Sequence, residues 1–144
     1  MQLNLTTTYA IRCMVCLAEH EEGVSSRLIG EEIAVDREFT LKILRMLRRA
    51  GLIKSTKGSA GGYRLANPAS ETPLWKIIEV TEDSMHISRS LEPGYISKVQ
   101  EHRGDRENKL YRHLQGHIDT LLKGITLQDI LEDGYMAQKV RKQA

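Results

Sequence analysis

The stretch Ser26-Arg-Leu-Ile-Gly-Glu-Glu-Ile-Ala-Val-Asp-Arg-Glu-Phe-Thr-Leu-Lys-Ile-Leu-Arg-Met-Leu-Arg-Arg-Ala-Gly-Leu-Ile-Lys-Ser-Thr-Lys-Gly-Ser-Ala-Gly-Gly-Tyr-Arg-Leu-Ala66 decides the fold. It reads as a short helix, a tight turn, a basic helix and two short strands around a glycine-rich turn. In that order these are the parts of a winged helix-turn-helix, a mainly α fold with a small β-wing. Such a unit lays its second helix in the major groove of DNA, so the pattern predicts DNA binding.

Periodicity orients the second helix. Asp36 is placed to accept hydrogen bonds from the first free N–H groups, as an N-cap. Thr40, Ile43, Leu44 and Leu47 recur at helical spacing and are expected to face a core. Glu38, Leu41, Lys42, Arg45 and Arg49 then point away, toward a groove, with Arg37 at the helix start. Gly51 is placed to stop the helix. Residues 52–56 and 63–66 read as paired strands, and the glycines at 58, 61 and 62 free the backbone between them. Lys57 opens that turn and is within reach of a minor groove.

Charge supports this reading. Between Arg37 and Arg64 eight bases stand against one acid, Glu38, a local charge of +7, although the whole chain carries only +2. A concentrated cationic patch gains from displacing phosphate counterions. Hydrophobic residues at 40% and charged residues at 28% fit a globular protein of 144 residues, long enough for one domain with its own core. Aromatics at 5% make that core aliphatic. No apolar run spans a bilayer. Cys13 and Cys16 are too few for a disulfide scaffold. Both points predict a cytoplasmic protein with no membrane contact.

The flanks divide around this unit. A first helix over 6–21, capped by Thr6 or Thr7, is apolar on most sides. Thr72-Pro73 reads as the cap and first turn of another helix. The segment 83–104, broken by Pro93-Gly94 and Gly104, is a long loop of the kind that senses a signal. A long amphipathic helix follows, from about 105 to 123, striped by Leu110, Leu114, Ile118, Leu121 and Leu122. Thr126-Leu-Gln-Asp129 is a capping-box variant opening a last short helix that ends near Gly134. The domain plan is a DNA-reading region at 1–82, a sensor-type loop at 83–104, dimerisation helices at 105–134 and a basic tail at 135–144. The stripe needs a partner, and two-fold operators need two-fold proteins, so a homodimer on a palindromic operator is expected.

At this point the chain resembles the Rrf-type bacterial transcription regulators, whose members govern iron–sulfur, nitric-oxide and cysteine responses. The matching residues are Thr8-Tyr-Ala-Ile-Arg12, Leu44-Arg-Met-Leu-Arg-Arg-Ala-Gly-Leu-Ile-Lys-Ser-Thr-Lys-Gly58, Gly61-Gly-Tyr63 and Ile125-Thr-Leu127. The resemblance implies a homodimer with two winged helices and crossed long helices, repressing or activating from a palindrome. Cluster-binding members carry three cysteines in the loop before the long helix. Here 83–104 has none: Arg89-Ser90 lies where the first would fall, and Thr8 stands where some members take a ligand from the first helix. Thiolates hold iron–sulfur clusters, so no cofactor is expected. Leu41 replaces a base-contacting acid, so a different operator is expected.

Other constellations compete for a role. Cys13, Cys16 and His20 fall within a stripe of about 60° on a helix and are soft-metal ligands by type. Cysteine is also among the most buried residues, so the expected role is two core thiols and a helix-end histidine. His113 and His117, four apart, can share a metal, with His86 and His102 as added ligands; a solvated surface pair is the plainer expectation. No phosphate-binding glycine loop, nucleophile elbow or metalloprotease motif is present, so no enzyme is expected. The function predicted is a regulator, most simply a repressor, answering a small-molecule or protein effector. The alternatives are an interaction module that has lost DNA binding, or a regulator that senses metal through its histidines.

Overall fold

The computed structural model describes residues 1–59, 61–96 and 105–134. In chain order its elements are α1 (Leu5–Glu19), α2 (Ser26–Ile33), α3 (Arg37–Arg49), β1 (Ile53–Thr56), β2 (Gly62–Leu65), α4 (Leu74–Thr81), α5 (Arg106–Gly124) and α6 (Leu127–Leu131). Short 3-10 turns lie at Ala69–Glu71 and Arg89–Leu91. β1 and β2 pair antiparallel, with Ile53 opposite Leu65 and Thr56 opposite Gly62. This is the mainly α, small-wing architecture that the sequence predicts.

The core is aliphatic and centred on α1. Ala10, Cys13, Met14 and Leu17 are sealed from solvent and meet Ile29 of α2, Ile43, Leu44 and Leu47 of α3, Ile77 of α4 and Leu127 of α6. Each such aliphatic side chain contributes about 1.5–3 kcal/mol on burial. The winged unit is thus built around a helix outside the helix-turn-helix itself.

Local chemistry sets the ends. The α1 cap is Asn4, whose side chain accepts from Thr7 N at 2.8 Å, rather than Thr6 or Thr7. Thr7 is instead buried in a polar network: its Oγ1 lies 2.7 Å from Thr81 Oγ1, while Asn4 Nδ2 donates to Thr81 O at 2.8 Å. That network fastens the start of α1 to the end of α4. Thr72 likewise does not cap α4, since its Oγ1 donates to Pro68 O at 3.0 Å. Pro73 takes the cap position, and the free Leu74 N–H is met by Ile125 O at 2.8 Å. Distant backbone did what a local side chain was expected to do.

Gly51 ends α3 as expected, at φ +74°. Gly51 N donates to Arg48 O and Leu52 N to Leu47 O, each at 3.0 Å, the paired bonds of a Schellman stop. The α6 capping box is also present, with Asp129 N donating to Thr126 Oγ1 at 3.2 Å and Thr126 N to Asp129 Oδ2 at 2.8 Å.

The expected long loop is ordered over its described part, 83–96. It forms a hook held by Ser84, His86 and Glu92: His86 Nδ1 is 3.2 Å from Glu92 Oε2, and Ser84 Oγ donates to Glu92 Oε1. Gln115 of α5 pins this hook. Lys123 lies over the Trp75 ring at 4.4 Å, tying α5 to α4. His102, Gly104 and the basic tail at 135–144 lie outside the described residues.

Candidate nucleic-acid interface

α2 and α3 meet through a tight turn. Ala34 closes α2 in the left-handed region at φ 57°, and α3 restarts at once under the Asp36 cap, which accepts from Phe39 N at 2.9 Å. Gly30 permits the close approach: a Cβ there would stand 3.1 Å from Thr40 Oγ1 and 3.2 Å from Val35 O.

α3 divides by face as the periodicity predicts. Thr40, Ile43, Leu44 and Leu47 are buried. Arg37, Glu38, Lys42, Arg45 and Arg49 are exposed, and Leu41 is half-buried. Lys42 Nζ rests 5.8 Å from the centre of the Phe39 ring, and Arg45 Nε donates to Leu41 O at 3.3 Å. These contacts are weak and solvent-facing, so both cations are free to turn to a ligand.

The wing stands beside them. Lys57 is exposed at the end of β1, followed by Gly58 at φ +108°. Arg48 Nη1 reaches Ser55 Oγ at 3.4 Å, linking α3 to the wing. Val24 pairs with Tyr63 through bonds of 2.9 and 2.7 Å, adding a short third edge to the wing sheet. Sequence reading missed this partner because one paired residue between a helix and a turn leaves no strand pattern. Gly62 makes room for it: a Cβ would fall 2.5 Å from Val24 O.

On α5, Leu110, Leu114 and Leu121 are exposed, whereas Ile118 and Leu122 are half-buried. Ile118 and Leu122 line an apolar cleft with Ile78, Met85 and Ile87. The single expected stripe is therefore two stripes. At about 100° per residue, Leu110, Leu114, His117 and Leu121 centre about 100° from Gln115, Ile118 and Leu122.

The histidine expectations resolve unevenly. His113 and His117 touch through Nε2 atoms 3.2 Å apart, but among the described residues no third ligand joins them. His86 is engaged by Glu92. Cys13 is sealed in the core, and burial pushes its thiol up to about 12. Cys16 and His20 instead meet Glu32 of α2. Burial first, then the hydrogen bond to Glu32, pushes the Cys16 thiol to about 12. The same carboxylate raises His20 above its ordinary range. Glu32 sits on another helix, out of reach of any local motif.

A winged helix with an exposed cationic second helix defines the class: a DNA-binding transcription regulator. The Rrf2 family model, described as an iron-dependent transcriptional regulator, matches residues 3–133, and the chain belongs to that family. It is 34% identical over 133 residues to Protein aau3 of Rhizobium meliloti (strain 1021), covering 92% of this chain and 86% of the relative. It is 28% identical over 141 residues to the HTH-type transcriptional regulator IscR of Cereibacter sphaeroides, covering 92% and 88%. Among solved structures, T. potens IscR superposes with TM-score 0.71 at 27% identity, covering 96% and 91% of the two chains. The global cysteine regulator CymR of B. subtilis shares the fold, with TM-score 0.75 at 22% identity over 90% and 95%. The family model and the IscR relative are named as transcriptional regulators, not enzymes.

Iron dependence in the family does not carry over to these residues as a thiolate-held cluster. The chain has two cysteines, both on α1 and both buried. Among the described residues, the segment before α5 offers Ser84, His86 and Glu92, oxygen and imidazole donors already hydrogen-bonded among themselves. Among the described residues no helix is long and apolar enough to cross a membrane.

Proposed function

We propose that the protein is a homodimeric cytoplasmic repressor that binds a palindromic operator, reading each half-site with α3 and flanking it with the wing. Arg37, Glu38, Leu41, Lys42, Arg45 and Arg49 form the groove-facing side, and Lys57 reaches the adjacent backbone or minor groove. The observation that carries the reading is the split of α3: four residues buried, and on the other side every cation exposed.

The two stripes of α5 support the dimer. One, with Ile118 and Leu122, lines a cleft of the chain itself. The other leaves Leu110 54%, Leu114 43% and Leu121 58% exposed. A line of leucines at that spacing on one helix is the seam of a helix pair, and a second copy is the partner that matches operator symmetry. A dimer seated on an operator excludes other proteins from it, which is repression in its simplest form. The hook at 83–92 and the cleft beside it lie between α4 and α5, where a small molecule or protein effector can bias the spacing of the two wings by its differential affinity for the two states.

A mobility shift on genomic DNA, read across salt concentration, tests this. Binding that falls steeply with salt, by a doubly symmetric footprint, is the expected result. No binding at low salt would leave only an interaction module on a winged-helix scaffold.

A further inference from the structure

The last turn of α1 and the last turn of α2 bring three different donors to one point. Cys16 Sγ donates to Glu32 Oε2 at 3.0 Å, and His20 Nε2 lies 3.0 Å from Glu32 Oε1. All three ligand atoms lie within 4.8 Å of one another. Cys16 is buried, His20 half-buried and Glu32 exposed, so the cluster is anchored at one end and open to solvent at the other. Among the described residues, no other group of His, Cys, Asp and Glu converges in this way.

We propose that Cys16, His20 and Glu32 form a binding site for one borderline divalent transition-metal ion, of the zinc class. The donor set is thiolate, imidazole and carboxylate, which suits a tetrahedral ion of intermediate softness. With metal–ligand bonds of about 2.0–2.3 Å, neighbouring donors in a tetrahedron stand about 3.4–3.6 Å apart. The two separations to Glu32, each 3.0 Å and each to a different carboxylate oxygen, are a few tenths of an ångström shorter, and the exposed Glu32 side chain can move outward by that amount to present one oxygen. Binding breaks the Cys16 S–H bond and forms the metal–sulfur bond, and the proton leaves to water. A water completes the fourth position on the open side.

The surroundings fit a ligated histidine. Its second ring nitrogen, Nδ1, lies 3.6 Å from Glu22 Oε1, the kind of outer carboxylate that orients a metal-bound imidazole. Cys13 stays outside the site, sealed in the core. The ion clamps α1, the centre of the core, to α2, the first helix of the helix-turn-helix, two residues before the Ala34 turn. This site does not depend on the operator reading and is distinct from the loop before α5.

The test uses the full chain, stripped of metal and titrated with Co2+, whose thiolate charge-transfer absorption reports a sulfur ligand. One Co2+ per chain with that absorption, displaced by one Zn2+, is expected. His20→Ala and Glu32→Gln alter surface side chains and should each weaken Zn2+ binding more than about 100-fold, beyond the 10–100-fold typical of an outer partner. Glu22→Gln should cost about 10-fold. The double variant His113→Ala/His117→Ala should keep the absorption unchanged. Co2+ binding without a thiolate band, full affinity in His20→Ala with native circular dichroism, or loss of the band in the His113/His117 variant would each overturn the site.

Discussion

Gln115 on α5 and Ile87 in the hook are joined by a 2.8 Å hydrogen bond from Ile87 N to Gln115 Oε1. The same amide donates through Nε2 to Met85 O at 2.9 Å and to Asp119 Oδ1 at 2.7 Å. One buried side chain thus satisfies both the donor and the acceptor of a loop 28 residues away. It joins the segment between the DNA-reading unit and α5 to the helix that carries the leucine ridge.

Removing that amide should be costly. Gln115→Ala leaves a main-chain N–H and C=O without their partner, a loss of about 1–3 kcal/mol. Urea unfolding measures it. A change under about 0.5 kcal/mol would mean that water replaces the amide and the hook is not fastened through it.

The hook should also weaken in acid. Hydrogen bonds from Ser84, and then from His86, hold the Glu92 carboxyl below its ordinary range, which is about 4.3. A depressed folded pKa gives stability that is present above the unfolded value and lost as pH falls through the folded one. The gap in urea midpoint between wild type and Glu92→Gln should be full above the unfolded value of about 4.3 and shrink as pH falls below it. A gap that stays constant across this range would remove Glu92 from the acid response.

On the recognition helix, alanine at Lys42 or Arg45 should cost about 1–3 kcal/mol on the operator. Non-specific DNA should lose less. Titrations on both DNAs give the comparison, and equal losses would make the residue a phosphate contact.

Lys57 is expected to act differently. Lys57→Ala should lower affinity uniformly across sequences and reduce the salt slope by about one unit. A slope equal to wild type would place the wing away from the phosphates.

For the dimer, the outward ridge is the place to strike. Leu114→Glu would force an unpaired charge into a helix seam, which is strongly disfavoured. Sedimentation should show the monomer mass, and the palindrome should no longer shift. Because Leu114 is already exposed in the single chain, the fold itself should survive. A variant that still sediments as a dimer would exclude the ridge as the interface.

Much of this protein was legible in the order of its residues. The period of Thr40, Ile43, Leu44 and Leu47 set which face of α3 is buried, because a helix of fixed pitch assigns faces by spacing alone. Asp36, Gly51 and Thr126-Asp129 marked ends whose hydrogen bonds close within a few residues. Tertiary structure decided whatever depends on partners distant in sequence. Thr72 was a plausible cap until Ile125 supplied the bond from across the fold. The leucines of α5 followed one helical pattern, yet in the fold Ile118 and Leu122 line a cleft with Ile78 and Met85 while Leu110, Leu114 and Leu121 stay outside. Cys16 and His20 lay on one visible stripe, but only the docking of α2 onto α1 brought Glu32 to them. Periodicity specifies a face, and the chain's long-range contacts decide what that face meets.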